Sequence, residues 1–153
     1  MFHVSFGEVF SLNGFLLILF GFTLLLIATV DQKYKIIPDE LNLVLFLLAL
    51  PHLFFCSELP FLAHFLGAFA VSVPLFLLAL FFGGFGGGDI KLTAATGLFL
   101  GWQGILQSSV LAFLVSGIYS AALLLLKKAT PKTEIPFGPF LCLGVFLSLF
   151  STV

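Results

Sequence analysis

Two aspartates stand at the edges of long apolar segments, where charged side chains are rare. Asp89 follows residues 83–88, which include five glycines, and Asp31 comes directly after an apolar run that begins near residue 14. A carboxylate beside hydrocarbon is costly to desolvate, so it is a candidate functional group by default. Dense glycine lets the backbone adopt positive φ and approach other groups closely. Asp31 and Asp89 are therefore the candidate catalytic residues.

A pair of carboxyl groups is sufficient to hydrolyse a peptide bond. The ionised carboxylate activates a water molecule, and the protonated carboxyl polarises the carbonyl under attack. Two neighbouring carboxyls divide their protonation in this way because charging both is unfavourable. We therefore expect Asp31 and Asp89 to meet and to act together as an aspartic peptidase, with no metal and no cofactor.

Other chemistries have weaker support in the sequence. His52 and His64 lie near the ends of apolar segments away from the two aspartates. Cys56 and Cys142 form no CxxC pair, which indicates neither a zinc site nor a disulfide framework. The serines of the chain lack a GxSxG elbow, and the glycine run lacks the GK[ST] ending of a phosphate loop.

The composition is that of a membrane protein. Of the 153 residues, 61% are hydrophobic and 8% are charged, and the mean hydropathy is +1.26, whereas soluble domains contain about 25% charged residues. A helix needs about 20 mostly apolar residues to cross a bilayer. Gly97, Gly101 and Gly117 are expected to permit close contact between such helices. The sequence therefore predicts an all-α polytopic bundle, a single membrane domain over residues 1–153. Its six predicted spans cover residues 14–30, 40–55, 61–82, 90–102, 105–126 and 135–153.

The lysines predict how this bundle is oriented. All six basic residues are lysines, and they fall in alternate loops of the six-span arrangement: Lys33, Lys35, Lys91, Lys127, Lys128 and Lys132. The positive-inside rule places these loops in the cytoplasm and both termini outside. The two aspartates then lie at the same cytoplasmic boundary. The net charge of −1 gives no reason to expect a nucleic-acid partner.

Each candidate residue also has a purely structural interpretation. Asp89 is placed to cap the fourth span, and Asp39, directly after Pro38, is placed to cap the second. Asp31 would be an unfavourable cap at a helix C-terminus. Its alternative is a solvated interfacial charge paired with a lysine of the following loop. Lys91 either pairs with Asp89 or anchors its span.

Three motifs resemble those of a known family. Gly86, Gly87, Gly88 and Asp89 fit the GxGD motif of intramembrane aspartyl proteases, and GFGGGDIK at residues 84–91 resembles the GxGxGDxK form of type IV prepilin peptidases. Asp31 lies seven residues before a proline that an acid follows, which is the family's spacing around its first catalytic aspartate. IPFGP at residues 135–139 is similar to the PFGP segment that opens the family's last helices. The resemblance covers essentially the whole chain.

The resemblance implies a membrane-embedded aspartic endopeptidase. Such an enzyme cleaves the short basic leader from type IV prepilins or pseudopilins, of pili or type II secretion systems, at the cytoplasmic face of the bacterial inner membrane. Asp31 and Asp89 would be catalytic. The substrate-binding or site-shaping residues would be Gly86, Gly87, Gly88, Lys91, Pro38 and Asp39. Larger family members carry paired CxxC motifs associated with N-methylation of the cleaved pilin, and because this sequence has no CxxC, methyltransferase activity is not expected.

Two other functions fit the same residues. Intramembrane acids also serve as proton or ion relays, which would make the chain a small coupled transporter. Against a transporter, both acids lie at one face and the sequence has no sign of an inverted repeat. A non-enzymatic membrane scaffold would use the acids as helix caps alone. Asparagine substitutions at Asp31 and Asp89 separate the three functions, because only a peptidase would stop cutting its substrate.

Overall fold

The computed structural model describes residues 6–82, 86–126 and 136–151, and within these residues the chain is helical, with no strand. The helices are α1 (Phe6–Tyr34), α2 (Asp39–Pro51), α3 (Phe61–Ala70), α4 (Ser72–Phe82), α5 (Gly87–Leu125) and α6 (Gly138–Ser151), with a π-helical turn (His52–Cys56) after α2. The predicted all-α fold is confirmed. The first part of the glycine run and the fifth-span lysine loop lie outside the described residues: Gly83, Gly84, Phe85, Lys127, Lys128 and Lys132.

Four helical segments are long and apolar enough to cross a membrane. They are Leu12–Tyr34, Asp39–Cys56, Phe61–Phe82 and Gly87–Leu125, and a shorter apolar helix covers Gly138–Leu149. Many large apolar side chains, such as Phe81 and Ile18, are exposed on the outside of the bundle. A helical surface of this kind suits hydrocarbon, because all backbone hydrogen bonds are made within the helices.

The longest helix, α5, contains 39 residues and breaks at Gly101. A straight helix of that length would extend for about 58 Å, nearly twice the hydrocarbon core of about 30 Å. Gly101 has φ 74° and ψ 176°, a conformation that favours glycine. The break separates residues 87–100 from residues 102–125, and these two halves correspond to the fourth and fifth predicted spans.

The first half of α5 runs away from the end of the bundle where α1 finishes. Gly88 lies against Ile37, just after α1. Farther along, the ring of Phe99 stacks on that of Phe20, in the middle of α1, with the centroids 3.9 Å apart. This half is therefore antiparallel to α1.

The second half of α5 returns toward the end where it began. Helix α6 starts beside Asp31, at the same end of the bundle as Gly88. Late in α6, Ser148 accepts a hydrogen bond from Ser108 at 2.9 Å, whereas Phe137, just before α6, contacts the ring of Phe113. The second half of α5 is therefore antiparallel to α6. With this reversal, α5 contributes two antiparallel segments to the described part of the bundle.

Two prolines interrupt helices that the sequence predicted to be continuous. The predicted span 61–82 is two helices that meet at Val71, because Pro74 has no N–H to donate to Ala70 and its ring crowds that carbonyl. Pro51, likewise without an N–H, precedes the π-helical turn, in which Ser57 N donates to His52 O at 2.9 Å. Such a turn is the commonest form of π-helix.

Glycines permit the closest contacts between helices. The sequence predicted such contacts at Gly97, Gly101 and Gly117, and the structure has them at the first two. Gly67 of α3 and Gly97 of α5 face each other so closely that a Cβ on either would overlap the backbone of the other helix. Gly101 allows the reversal. The prediction for Gly117 is not met among the described residues, because a Cβ added there meets none of their atoms within 4 Å. Small residues at such contacts let packing hold the bundle together in lipid.

Candidate active site

Asp31 lies in the last turn of α1 and is buried. The helix ends three residues later at Tyr34, and the next residue, Lys35, takes a left-handed conformation with φ 55° and donates its N–H to Asp31 O at 2.8 Å. The Asp31 side chain is 5% exposed. The alternative of a solvated interfacial charge is therefore wrong, because the start of α6 covers this carboxylate.

The PFGP segment provides that cover. The Gly138 N–H donates a hydrogen bond to the carboxylate of Asp31. A Cβ built on Gly138 would lie 3.1 Å from Asp31 Cγ and 3.2 Å from Ile37 Cδ1. Only glycine fits against both side chains, which explains why this position of the motif has no side chain.

Asp89 lies in the first turn of α5. Its own N–H donates to Gly86 O at 3.1 Å, and its carboxylate accepts a hydrogen bond from the Gly86 N–H. The other oxygen, Oδ1, is buried without a hydrogen-bond partner among the described residues. Asp89 is not the helix cap, because Gly86 occupies that position with φ −75° and ψ 149°.

The two carboxylates lie at the same end of the bundle, near a thiol. Gly138, which lies against Asp31, and Gly88, which precedes Asp89, both pack against Ile37. The thiol of Cys142, buried in α6, lies near both acids. The sequence interpretation missed Cys142 as a site residue. Cys142 lies four residues after Gly138 of the PFGP motif, and residues four apart lie on one face of a helix. That spacing could have identified Cys142 from the sequence.

Each of the three glycines before Asp89 has a different environment. A Cβ on Gly88 would lie 2.7 Å from Ile37 Cβ, which is too close, whereas one on Gly86 would make an ordinary contact with Asp89 and one on Gly87 would meet nothing. The close approach that the sequence predicted is thus required at Gly88.

Asn42 is a second residue that the sequence interpretation missed. It is buried in α2, and its Nδ2 donates to Gly88 O at 3.3 Å, so it ties α2 to the turn before Asp89. Asn42 comes three residues after Asp39, so the two lie on one face of α2. This shared face could have identified Asn42 from the sequence.

The exposed charges form a pair that the sequence did not predict. Lys91 Nζ lies 2.7 Å from both carboxylate oxygens of Asp39, linking α5 to α2. Lys91 thus pairs with Asp39 and not with Asp89, while its other expected role, as an anchor of its span, stays a prediction. Asp39 is not a cap either: Pro38 holds that position, and Asp39 is the first residue of α2, where the helix dipole favours a carboxylate.

The histidines lie at the other end of the bundle, as the sequence predicted. His52 stacks on Phe99, which is ten residues beyond Asp89 along α5, and His64 contacts Leu98. Among the described residues, no group of three or more histidine, cysteine or acidic side chains could hold a metal ion.

Comparison with known proteins identifies the family. The family model described as "Type IV leader peptidase family" matches residues 18–121. Proteins named "Prepilin leader peptidase/N-methyltransferase" are similar over most of this chain. That of Pseudomonas aeruginosa is 32% identical over 150 residues, 94% of this chain and 51% of that protein. That of Bacillus subtilis is 32% identical over 140 residues, which cover 90% of this chain and 56% of that protein. That of Xanthomonas campestris is 31% identical over 147 residues, which cover 92% of this chain and 51% of that protein.

The chain spans about half the length of these curated relatives. No solved structure is significantly similar to it. The matched residues 18–121 include both candidate aspartates and the glycine run between the helices that carry them. On the extent of that match, the chain belongs to the type IV leader peptidase family.

Proposed function

We propose that this chain is a membrane-embedded aspartic endopeptidase that removes the leader from type IV prepilins or pseudopilins. Asp31 and Asp89 are its catalytic pair. One observation carries the proposal: these carboxylates, 58 positions apart in sequence, lie at the same end of the bundle, where Gly138 and Gly88 pack on Ile37, and Asp89 Oδ1 is buried without a partner among the described residues. A buried polar atom left unsatisfied is costly, so such atoms concentrate where a substrate completes the site.

The reaction needs one proton held between the two acids. The ionised carboxylate removes a proton from a water molecule, whose oxygen bonds to the carbonyl carbon of the leader's last residue. The protonated carboxyl donates its proton to the carbonyl oxygen as the tetrahedral intermediate forms. The C–N bond then breaks as the leaving amine takes a proton from the acid that received one from water. A hydroxyl of the intermediate returns its proton to the other acid, which leaves the carboxylic acid product and restores the starting protonation. General acid–base catalysis of this kind contributes about 10²–10⁴-fold to the rate.

A groove beside the site suits the substrate's apolar helix. It has a volume of about 430 Å³ and lies between α2 and α5; its lining is Asp39, Asn42, Leu43, Phe46, Lys91, Ala94 and Ala95. Leu43 and Phe46 are 57% and 44% exposed, so they are accessible to another helix. Small residues such as Ala94 and Ala95 permit close helix approach.

The charged end of this groove suits the basic leader. Asp39 is exposed beside the turn that carries Asp89, and Asn42 connects α2 to that turn. We assign Asp39 and Lys91 to substrate binding, and Pro38, Gly86, Gly87 and Gly88 to shaping the site. With Lys33 and Lys35 also at this end, the positive-inside rule favours a catalytic face on the cytoplasmic side of the bacterial inner membrane, with both termini on the other side.

The proposal assigns the peptidase reaction to residues 1–153 as one membrane domain. The relatives' printed name also includes N-methyltransferase, and the chain spans about half of their length. We assign no methylation to this chain.

Co-expression with a tagged prepilin tests the function. The wild-type chain is expected to shorten the prepilin by its leader, whereas Asp31→Asn and Asp89→Asn are each expected to leave it uncut at equal levels of membrane protein. Glu40→Gln is the matched control, because it removes an exposed acid from the same end of the bundle but from neither the catalytic pair nor the residues assigned to substrate binding. Leader removal by either catalytic-site variant would overturn the assignment. Ion flux sensitive to those variants, with prepilin uncut by the wild type, would instead indicate a transporter.

A further inference from the structure

The end of the bundle away from the aspartates contains a second cavity. It has a volume of about 700 Å³ and lies between α1, the π-helical turn with its following loop, α3 and the reversal of α5. The residues that the argument uses are Asn13, His52, Glu58, Gln103, Gln107 and Phe99. Cavities of about 300–1,000 Å³ are typical of small-molecule sites. The reaction proposed above makes no use of this space.

One wall of the cavity is fixed by a saturated hydrogen-bond chain. Because a carbonyl oxygen can only accept, His64 Nδ1 donates to Leu98 O at 2.8 Å, and the neutral ring then accepts from Ser57 Oγ at its Nε2, at 2.6 Å. Ser57 Oγ in turn accepts the Leu59 N–H at 3.1 Å. Ser57 and His64 therefore have their hydrogen bonds within the protein, and this pair is a rigid wall and not an activated nucleophile.

Other polar atoms in the cavity are unsatisfied. Asn13 Oδ1 and His52 Nδ1 are buried without a hydrogen-bond partner among the described residues. Gln103 and Gln107 also line the cavity. An amide oxygen can only accept a hydrogen bond, so Asn13 requires a ligand that donates one.

The charge of the lining is negative. Glu58 contributes a carboxylate, and neither lysine nor arginine is among the residues that line the cavity. An anionic ligand would be repelled by Glu58 with no cation to bind it. A cation that carries several N–H donors would satisfy both the carboxylate and the amide oxygens, with charge-assisted hydrogen bonds.

We propose that this cavity binds a primary ammonium group, with Glu58 as its counter-ion and Asn13 as a hydrogen-bond acceptor. Apolar side chains at the same cavity, among them Leu17 and Phe99, suit a ligand whose ammonium is attached to an apolar body. Two sources share this chemistry: the ethanolamine headgroup of a phospholipid in the leaflet opposite the aspartates, and a soluble amine. The proposal is independent of the peptidase function.

Native mass spectrometry of the purified protein distinguishes these sources. Phosphatidylethanolamine, phosphatidylcholine and free ethanolamine are the probes. Phosphatidylethanolamine is expected to bind at least about tenfold more tightly than phosphatidylcholine, whose quaternary nitrogen has no N–H to donate. Binding of free ethanolamine in addition would identify the ammonium itself as sufficient, whereas binding of the lipid alone would make the headgroup in its leaflet the ligand.

Two variants locate the binding. Glu58→Gln and Asn13→Leu are each expected to weaken binding of phosphatidylethanolamine about tenfold. Glu40→Gln, the same change at an exposed acid of α2, is the matched control and should have no effect. Equal affinity for the two lipids, or wild-type affinity in Glu58→Gln and Asn13→Leu, would overturn the proposal. Prepilin cleavage by Glu58→Gln should equal that of the wild type, so failure of the binding proposal and failure of the peptidase proposal are separate results.

Discussion

Two polar clusters at opposite ends of the bundle are buried in opposite ways. At the end of the histidines, Ser57, His64 and Leu98 form a chain in which every donor has an acceptor. At the end of the aspartates, two carboxyl groups lie near one another, and one oxygen of Asp89 has no hydrogen-bond partner among the described residues. Complementary buried partners stabilise a fold, whereas like charges held together cost free energy. The comparison teaches that burial alone does not distinguish a structural polar residue from a functional one. The useful distinction is whether the hydrogen bonds of the buried group are satisfied within the protein.

Outside the catalytic pair, the largest effect on cleavage is expected at Gly138, the residue that positions Asp31. In Gly138→Ala the added methyl group would overlap the Asp31 carboxylate. A displacement of about 1 Å at a reacting group costs about 100-fold in rate, so kcat/KM for prepilin cleavage should fall by about that factor. Purified enzyme and a synthetic prepilin peptide would measure it.

Gly117→Ala is the matched control for that substitution. A Cβ at Gly117 meets no atom within 4 Å, so this variant should cleave like the wild type. If Gly138→Ala also retains wild-type kcat/KM, the contact between α6 and Asp31 does not matter for catalysis.

A smaller effect, on stability and not on activity, is expected at the other end. His64→Leu removes two hydrogen bonds and leaves Ser57 and Leu98 O with unsatisfied groups, which costs about 1–3 kcal/mol. Its unfolding midpoint in detergent should fall, while cleavage per folded molecule stays unchanged.

Asp89→Asn is expected to affect activity and not stability. Because it removes one of two repelling acids, it should unfold no earlier than the wild type while cleavage is lost. A variant at either end that affected stability and activity equally would break the comparison between the two ends.

The smallest effect is expected at the exposed ion pair between α2 and α5. The side chains of Lys91 and Asp39 are 56% and 69% exposed, and such pairs contribute about 0–1 kcal/mol. Asp39→Asn should raise KM for prepilin by a factor of about five, corresponding to about 1 kcal/mol, with little change in kcat. A leader with its lysines replaced by glutamine should remove this difference, and persistence of the difference with that leader would show that Asp39 acts on folding instead.

Much of this fold could be predicted because the thickness of a bilayer sets the length of a helix that crosses it. Runs of about 20 apolar residues and lysines in alternate loops were enough to predict the all-α bundle, with Asp31 and Asp89 at one end. Interruptions such as that at Val71 were missed, since a proline in an apolar run leaves the run itself intact. The sequence predicted a boundary between the fourth and fifth spans near residue 103. The structure places the reversal at Gly101, and this position depends on the φ angle of a single residue, which hydropathy does not specify.

The site was less predictable, because its contacts join residues distant in sequence. Local spacing suggested that Lys91 would pair with Asp89, two residues away, yet its partner is Asp39 on another helix. Cys142 reaches the two acids because the contact between Gly138 and Asp31 seats the start of α6. Such contacts follow from the packing of three helices, which periodicity within each helix does not specify.

The central claim is that Asp31 and Asp89 act as one catalytic unit. Single-turnover cleavage of a prepilin peptide by purified Asp31→Asn, Asp89→Asn and the double variant tests it most directly. Residues that act as a unit have non-additive effects, so each single substitution should lower the rate by about 10²–10⁴-fold, and the double variant should be no slower than the slower single variant. Substantial cleavage by either single variant, or losses that multiply in the double variant, would contradict the claim.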